Sequence, residues 1–325
     1  MTAPLVSIVI PCFNAEKYIS DAVRSALAQD VEHLEVIVVD DGSVDRTVEV
    51  AEGFGRGIRI VRQPNQGAAS ARNAGIRESR GQFVAFLDSD DWWHPRKLST
   101  QLAHLQACNK CGAVFATWLE ACSPTDPHWT AVLAADLANS HLELADEHSG
   151  WLYSELLLDS VIHTSSILIR RSIVDQVGLF DTGLLRGQDL DYWLRISRAT
   201  EIHKLRATLS AYRLYEGSAT TRPTSANYRA LVIEQALSRW GLSDSTGRAA
   251  KLQDVHKILA ASWKQFGYMH FRKGSPKIAY ESFRRAQSYG ISSARLSTLK
   301  LAASLKNLIS RSPDDLDTRH SPNSG

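Results

Sequence analysis

The sequence predicts an α/β fold: a mostly parallel sheet with helices on both faces, followed by an α-helical carboxyl-terminal region. Three observations carry this. Short apolar runs alternate with stretches of helical period from Leu5 to about Leu105, the pattern of parallel strands joined by crossover helices. Each run ends in a polar loop. Beyond Tyr228 only helical periods remain.

Leu5 to Ile10 reads as a first buried strand stopped by Pro11, with Phe13-Asn14 in the loop at its carboxyl end. Tyr18, Ile19, Ala22, Val23, Ala26 and Leu27 then recur with helical period. Glu35 to Val39 is the second strand, ending in Asp40-Asp41-Gly42-Ser43; Ser43 or Asp45 could cap a helix carrying Val48 and Ala51. Ile58 to Val61 is the third. Asn65-Gln66-Gly67 and a small-residue helix from Ala68 to about Ser79 follow it. Phe83 to Leu87 is the fourth strand and runs into Asp88-Ser89-Asp90-Asp91, after which Pro95 opens a helix bearing Leu98, Leu102 and Leu105. Ligands of such sheets bind outside the carboxyl ends of the strands. All four loops therefore belong on one rim.

The acids after the fourth strand are the sharpest chemical signal. Three carboxylates at the exit of a buried strand are costly to hold together without a cation. If the chain stays extended, Asp88 and Asp90 point to one side, a suitable pair for a divalent ion with oxygen ligands. Asp91 reads as a cap of the following helix. Asp41 is either part of an Asx-type turn before Gly42 or a grip on a ribose or base. Arg72 is either a solvated surface charge or a phosphate contact.

Downstream, Val114 to Leu119 is strand-like, and Glu120 to Ser149 shows no clear period, as a flap or insert would. Ser165 to Arg170 is apolar again. In the run Gly187 to Arg195, Leu190, Trp193 and Leu194 share a helical face with Ser197, leaving Asp189 and Asp191 near the amino end as caps or crevice acids.

Five segments, SIVIPCFNAEKYISDAV, VIVVDDGSVDRT, NQGAASARNAGI, FVAFLDSDDWWHPRKL and GQDLDYWLR, resemble in order and spacing the family-2 glycosyltransferases of GT-A fold (Rossmann-like, nucleotide-diphospho-sugar-binding). The resemblance spans about residues 5–220. It implies metal-dependent, inverting transfer of a sugar from a nucleotide-diphospho-sugar to a hydroxyl of a glycan or lipid-linked acceptor, in bacterial cell-surface polysaccharide synthesis. It further implies that Pro11, Phe13 and Asp41, with Asn14 beside them, cradle base and ribose. Asp90 would ligate Mg²⁺ or Mn²⁺, with Asp88 nearer the ribose or the ion's outer sphere. Asp189 would be the general base, and the segment from His163 and Thr164 to Ser166 would line the acceptor side, with Asp191 near it. Two positions depart from the family pattern: Gln188 stands where Glu is common, and Tyr215 where a His often lies near the diphosphate. They motivate an alternative, a nucleotide-sugar-binding protein without turnover. A sugar nucleotidyltransferase would want a Gly-rich basic loop after the first strand, which PCFNAEKY does not supply.

Composition sets the remaining bounds. Over 325 residues the net charge is +2, yet Arg248 to Arg311 holds 13 Lys and Arg against Asp254 and Glu281, leaving the rest of the chain acidic. Such a one-sided excess suits an anionic membrane surface, and no nucleic-acid motif accompanies it. Trp263, Phe266, Gly267, Ala279, Phe283 and Ala286 have the spacing of one tetratricopeptide-like hairpin. The domains expected are 1–222, a basic helical region 223–310, and a disordered tail 311–325. Cys12, Cys108, Cys111 and Cys122 are few and irregular; Cys108 and Cys111 form a Cys-x-x-Cys, but no second pair or His pair follows at zinc spacing, so packing thiols in a reducing compartment are expected, ahead of zinc or redox chemistry. No run approaches a membrane span and no signal peptide is evident. A cytoplasmic protein, peripheral on the inner face of the plasma membrane, is the expectation.

Overall fold

Val, Ile and Ala dominate the centre of the sheet because strands covered on both faces have no solvent side for polar residues. The computed structural model describes residues 4–134, 143–145, 147–215, 224–290 and 294–309. The chain begins with β1 (Val6–Cys12), α1 (Ile19–Leu27), β2 (Leu34–Asp40), α2 (Thr47–Glu52), β3 (Arg59–Arg62), α3 (Ala68–Glu78) and β4 (Phe83–Phe86). Next come β5 (Trp92–Trp93), α4 (Lys97–Ala107), β6 (Cys111–Ala121), α5 (Pro127–Ala134) and α6 (Tyr153–Leu156). β7 (Ile167–Arg170), α7 (Arg171–Val177), α8 (Gln188–Ala199) and β8 (Glu201–Arg213) complete the sheet region. Last are α9 (Tyr228–Trp240), α10 (Leu252–Lys273), α11 (Pro276–Ser288) and α12 (Ala294–Ile309).

The sheet runs β3-β2-β1-β4-β7-β6-β8-β5. β1 pairs in parallel with β2 and β4, β2 with β3, and β6 with β8, whereas β7 is antiparallel to both neighbours and β5 to β8. Chain direction across the sheet reverses between β1 and β4, the kind of switch point where a crevice opens. Every residue of β1 is buried. Ile8, Ile10, Val36 and Val38 pack with Ile19, Ala22, Val23 and Ala26 of α1, each large aliphatic contributing about 1.5–3 kcal/mol by leaving water.

Three expectations change. Pro11 does not stop β1, which continues to Cys12. Pro11 pairs with Val39 while the β4 pairing ends at Val9 and Phe86, so Pro11 has a strand on one side only and its missing donor is tolerated. The 13-residue β8 had no counterpart among the strands expected; its buried Ile202, Leu205, Leu209 and Ala211 are interspersed with partly exposed Lys204, Arg206 and Tyr212. Within the segment expected to lack period, β6 reaches Ala121 and α5 inserts a buried Trp129 whose ring meets Trp92 edge-on at 5.9 Å. The rest of that segment, 135–142 and 146, lies outside the described residues, as does the tail from 310 onward.

The chain forms two compact units, 1–218 with 238–249, and 219–237 with 250–325. A boundary at 222 therefore misses a return of the chain: the Tyr153 hydroxyl donates to the Gly241 carbonyl at 2.8 Å, and Ser243 bridges Ala249. In the second unit, α10 and α11 form the expected hairpin. Trp263, Phe266, Ala279, Phe283 and Ala286 are buried, and a Cβ on Gly267 would lie 2.6 Å from the Phe283 ring. Ser275 caps α11 by accepting from the Ile278 N–H at 3.4 Å, with Pro276 in the first turn.

Gly75 of α3 is where helix and sheet approach closely, because an added Cβ would stand 2.2 Å from Val9 Cγ1. Overpacking of about 3 kcal/mol outweighs the ~1 kcal/mol of helix propensity that Ala offers. Gly75→Ala is expected to destabilise the chain by about 2 kcal/mol, read as a lowered thermal midpoint.

Candidate active site

After Phe86 the chain turns instead of staying extended: the Asp91 N–H donates to the Asp88 carbonyl at 3.0 Å. The alternation argument for Asp88 and Asp90 therefore fails, and another device gathers the acids. Ser165 Oγ accepts from the Asp88 N–H at 3.1 Å and donates to Asp91 Oδ2 at 2.5 Å. From the end of β8, the Arg213 N–H donates to Asp91 Oδ1 at 3.1 Å and its Nε to the Asp90 carbonyl at 2.8 Å. Arg213 also pairs with Asp21 at 2.7 Å, and its guanidinium lies between the rings of Tyr18 and Trp92, 4.9 and 4.5 Å from their centroids. Asp91 is thus no exposed helix cap. It is fully buried, and burial followed by the charges of Asp88 and Asp90 pushes its pKa well up.

Asp88 is paired otherwise. Its Oδ1 lies 2.6 Å from Arg72 Nη2, and Arg72 is 5% exposed, so the surface-charge reading of this arginine is wrong. Burial lowers the Arg72 pKa, but contact with Asp88, and then the fields of Asp189 and Asp90, more than offset it. Asp189, at the start of α8, is therefore within electrostatic reach of the same guanidinium. His163 senses it too: burial lowers its pKa, while Asp88 and Asp189 oppose the shift. A neutral His163 makes its 3.7 Å approach to Asp91 a contact between an imidazole and a carboxyl, not an ion pair. Asp90 accepts from the Tyr215 hydroxyl at 3.1 Å, and its pKa is raised by burial first and Asp88 second.

Among the described residues, Arg72 Nε and Nη1, His163 Nδ1 and Gln188 Oε1 are buried polar atoms that meet no partner. Buried donors are ordinarily satisfied. Two orphaned guanidinium donors beside clustered acids fit a ligand that brings its own anionic oxygens. Asp90, meeting a neutral hydroxyl where Asp88 meets a cation, offers the oxygen donors a hard divalent ion requires. The residues present thus suit both a diphosphate and its counter-ion.

The loops after β1 and β2 form one lattice. The Asn14 N–H donates to Ser43 Oγ at 2.9 Å, the Val44 N–H returns to Asn14 Oδ1 at 2.9 Å, and the Ala15 N–H reaches Thr47 Oγ1 at 2.7 Å. Asn14 takes a positive φ of 50° there, leaving Phe13 47% exposed. Gly42 has φ 81°, and a Cβ on it would meet the Asn65 nitrogen at 2.8 Å. Asp41 is 3% exposed: Oδ1 accepts from Gln63 Nε2 and the Gln66 N–H, Oδ2 from the Gly67 N–H at 2.8 Å. Its principal work is to join the β2 loop to the start of α3, leaving only spare capacity on Oδ2 for a nucleotide. Pro11 is buried in β1 beneath this lattice.

Of the residues expected on an acceptor side, Thr164 is buried in the turn Thr164–Ser166, and the His163 ring lies against Trp118 and Tyr212 at 5.3 and 5.2 Å between centroids. Asp191 departs from expectation. Two residues along α8 it lies about 200° round the helix from Asp189, and Arg195 holds it with bonds of 3.0 and 2.8 Å. Sequence reasoning missed Arg213 as an organiser and gave Ser165 only a place on the acceptor side, since the acids and backbone groups they bind are distant in the chain. An Arg at the end of a half-buried strand, next to no acid in sequence, was the available hint.

Comparison with known proteins bears on family and fold. A family model described as Glycosyl transferase family 2 matches residues 7–178. A glycosyltransferase of Rickettsia typhi, itself uncharacterised, is 31% identical over 67% of this chain, and the match spans 66% of that protein, just under two thirds of its length. TuaG of Bacillus subtilis, named provisionally for teichuronic acid biosynthesis, is 28% identical over 73% of this chain and 89% of its own. Among solved structures, residues 1–349 of S. aureus TarS with UDP-GlcNAc superpose with TM-score 0.61 at 18% identity, covering 94% of this chain and 88% of that one. A mannosyltransferase of Pyrobaculum calidifontis with GDP-Man and Mn²⁺ gives 0.54 at 17%, covering 95% and 88%.

The hydroxyl of Tyr215 favours ionised Asp90, so Tyr215→Phe raises the Asp90 pKa further. A metal binds the ionised form, and a proton competes with it. The midpoint of divalent-ion binding, followed with Mn²⁺, is therefore expected above the ordinary carboxylate range of about 3.9, and at still higher pH in Tyr215→Phe. Titration calorimetry across a pH series measures both.

Proposed function

We propose, from the premise that this chain belongs to glycosyl transferase family 2 and has its GT-A fold, that it moves a sugar from a nucleotide-diphospho-sugar to an acceptor hydroxyl with inversion. The observation that carries the proposal is Arg72, buried against Asp88 with two donors unpartnered among the described residues and with Asp189 and Asp90 in its field. Those donors would bind diphosphate oxygens, and Phe13, exposed on the lattice of the β1 and β2 loops, would face the base. Asp90, with Asp88 beside it, would hold a divalent ion. When bound, Mg²⁺ or Mn²⁺ supplies positive charge to the leaving diphosphate.

The protein's own part in the chemistry is proton transfer and orientation. An acceptor hydroxyl is a weak nucleophile near neutrality, so a carboxylate must take its proton as the new bond forms. Asp189 suits this role because its Oδ1 already accepts the Leu190 N–H at 2.8 Å, fixing the carboxylate at the helix start. A single base and direct displacement give inversion. Trp118, 37% exposed, and the His163 and Tyr212 rings would form the wall against which the acceptor sits. TarS, solved with UDP and UDP-GlcNAc, supports a uridine donor, and the name of TuaG supports a cell-surface polysaccharide or its lipid-linked precursor as acceptor.

No helix among the described residues is long and apolar enough to cross a membrane. The basic excess from Arg248 to Arg311 would instead hold the chain at an anionic leaflet, at about 1 kcal/mol per basic residue near the surface. Co-sedimentation with phosphatidylserine vesicles is expected at low salt and lost at high salt. Equal binding to neutral vesicles would contradict it.

Asp189→Asn is expected to lower kcat by ~10²–10⁴-fold while leaving Mn²⁺-dependent UDP binding intact. Donor turnover at the parent rate in that variant would remove Asp189 from its role, and absence of turnover in the parent with every UDP- and GDP-sugar tried would refute the transferase.

A further inference from the structure

At the opposite end of β6 and β8 from the acids, the Cys-x-x-Cys of the sequence acquires partners that its spacing did not reveal. His104 lies in the last turn of α4, Cys111 begins β6 and His203 lies on β8; one ligand atom from each lies within 4.8 Å of the others. His104 Nε2 and His203 Nδ1 are 2.9 Å apart although the residues are separated by 99 positions. The parallel register sets Cys111 opposite Glu201, and a bulge at Gly112 lies between Cys111 and Ala113. Bulges re-aim side chains, and here Cys111 Sγ donates to the Ala113 carbonyl at 2.9 Å while standing within reach of the two imidazoles.

We propose that His104, Cys111 and His203 form a zinc site, separate from the donor crevice, that ties α4 to the β6–β8 pair. Two imidazole nitrogens and one sulfur are preferred zinc donors, with Zn–N near 2.0–2.1 Å and Zn–S near 2.3 Å. Tetrahedral ligation sets two nitrogens about 3.4 Å apart, so the facing rings need part by only a few tenths of an ångström. The outer atoms fit as well. His203 Nε2 is 3.2 Å from Glu201 Oε2, the carboxylate contact that characteristically orients a zinc-bound histidine. Cys111 is fully buried and His203 nearly so, while His104 is partly exposed, leaving a mouth for the ion and a water in the fourth position.

The imidazole and thiol ligands differ in what binding asks of them. Burial, then the neighbouring His203, lowers the His104 pKa and keeps its lone pair free. Burial, then Cys108, pushes the Cys111 thiol up to about 12. Binding therefore releases one proton: the S–H bond breaks, its proton passes to solvent, and the sulfur's electron pair forms the Zn–S bond. The site takes no part in transfer, since ten residues of β8, on the order of 30 Å of strand, separate His203 from Arg213. Its effect is on the fold, because a ligand of the native state alone raises stability.

Cobalt(II), which takes zinc sites and reports on its ligands, provides the test. The full-length reduced protein is expected to bind one Co²⁺ with a near-ultraviolet thiolate-to-metal charge-transfer band, displaced by Zn²⁺, and Zn²⁺ alone is expected to raise the thermal midpoint. The band should persist in Cys108→Ser and in Asp90→Ala, which keeps thiolate and carboxylate sites apart. It should vanish in Cys111→Ser, and in His104→Gln, a partly exposed position that leaves folding intact, Co²⁺ affinity should fall at least ~10-fold. Absence of the band in the parent protein, its survival in Cys111→Ser, or unchanged affinity in His104→Gln would overturn the proposal and leave the two histidines a hydrogen-bonded pair.

Discussion

The site depends on how three carboxylates are kept at the end of a buried strand without repelling the chain out of its fold. The protein divides the charge. Asp91 is taken inward, its two oxygens bonded by Ser165 and the Arg213 backbone. Asp88 is neutralised by Arg72. Asp90, among the described contacts, meets only the neutral hydroxyl of Tyr215, and is therefore the carboxylate with coordination to offer. Loss of Asp88 would leave the buried Arg72 guanidinium without its ion-pair partner, so that acid constrains the residue that answers it.

Arg213 makes that division possible and is the far end of a long-range device. It belongs to the last residue of β8, yet it fastens the Asp90 carbonyl, the Cys122 carbonyl and Asp21. A guanidinium can do this because its donors form a fixed fork and its faces accept aromatic rings, here Tyr18 and Trp92. The strand holding Arg213 carries His203 near its opposite end. The same β6–β8 pair thus organises the donor crevice at one end and the proposed zinc site at the other.

Much of this was legible in the residues. The first four strands and their helices declared themselves through apolar runs and helical period, and the rule on carboxyl ends assembled Phe13, Asp41 and Asp88 on one rim before any coordinates. β8 was hidden because its residues serve both a buried face and an exposed one, with charges such as Lys204 and Arg206 diluting the alternation. Asp91 and Asp191 were misread, and Arg72 was left between two readings, for a common reason: sequence shows that a charge exists, and only the fold shows which partner reaches it. Asp191 was claimed by Arg195 one helical turn away, and Arg72 was buried by Phe180, whose ring lies 5.7 Å from its guanidinium. The histidine–cysteine cluster could not be found from spacing, because two of its members are brought together only by the parallel pairing of β6 and β8.

The central claim is that Asp90 and Arg72 address one bound diphosphate. Phosphorus relaxation of UDP in the presence of protein and Mn²⁺ tests it most directly, since a paramagnetic ion relaxes only nuclei that it closely approaches. Both phosphorus signals should relax rapidly in the parent protein and return to their protein-free rates in Asp90→Ala. Undiminished relaxation in that variant would put the ion elsewhere and contradict the account.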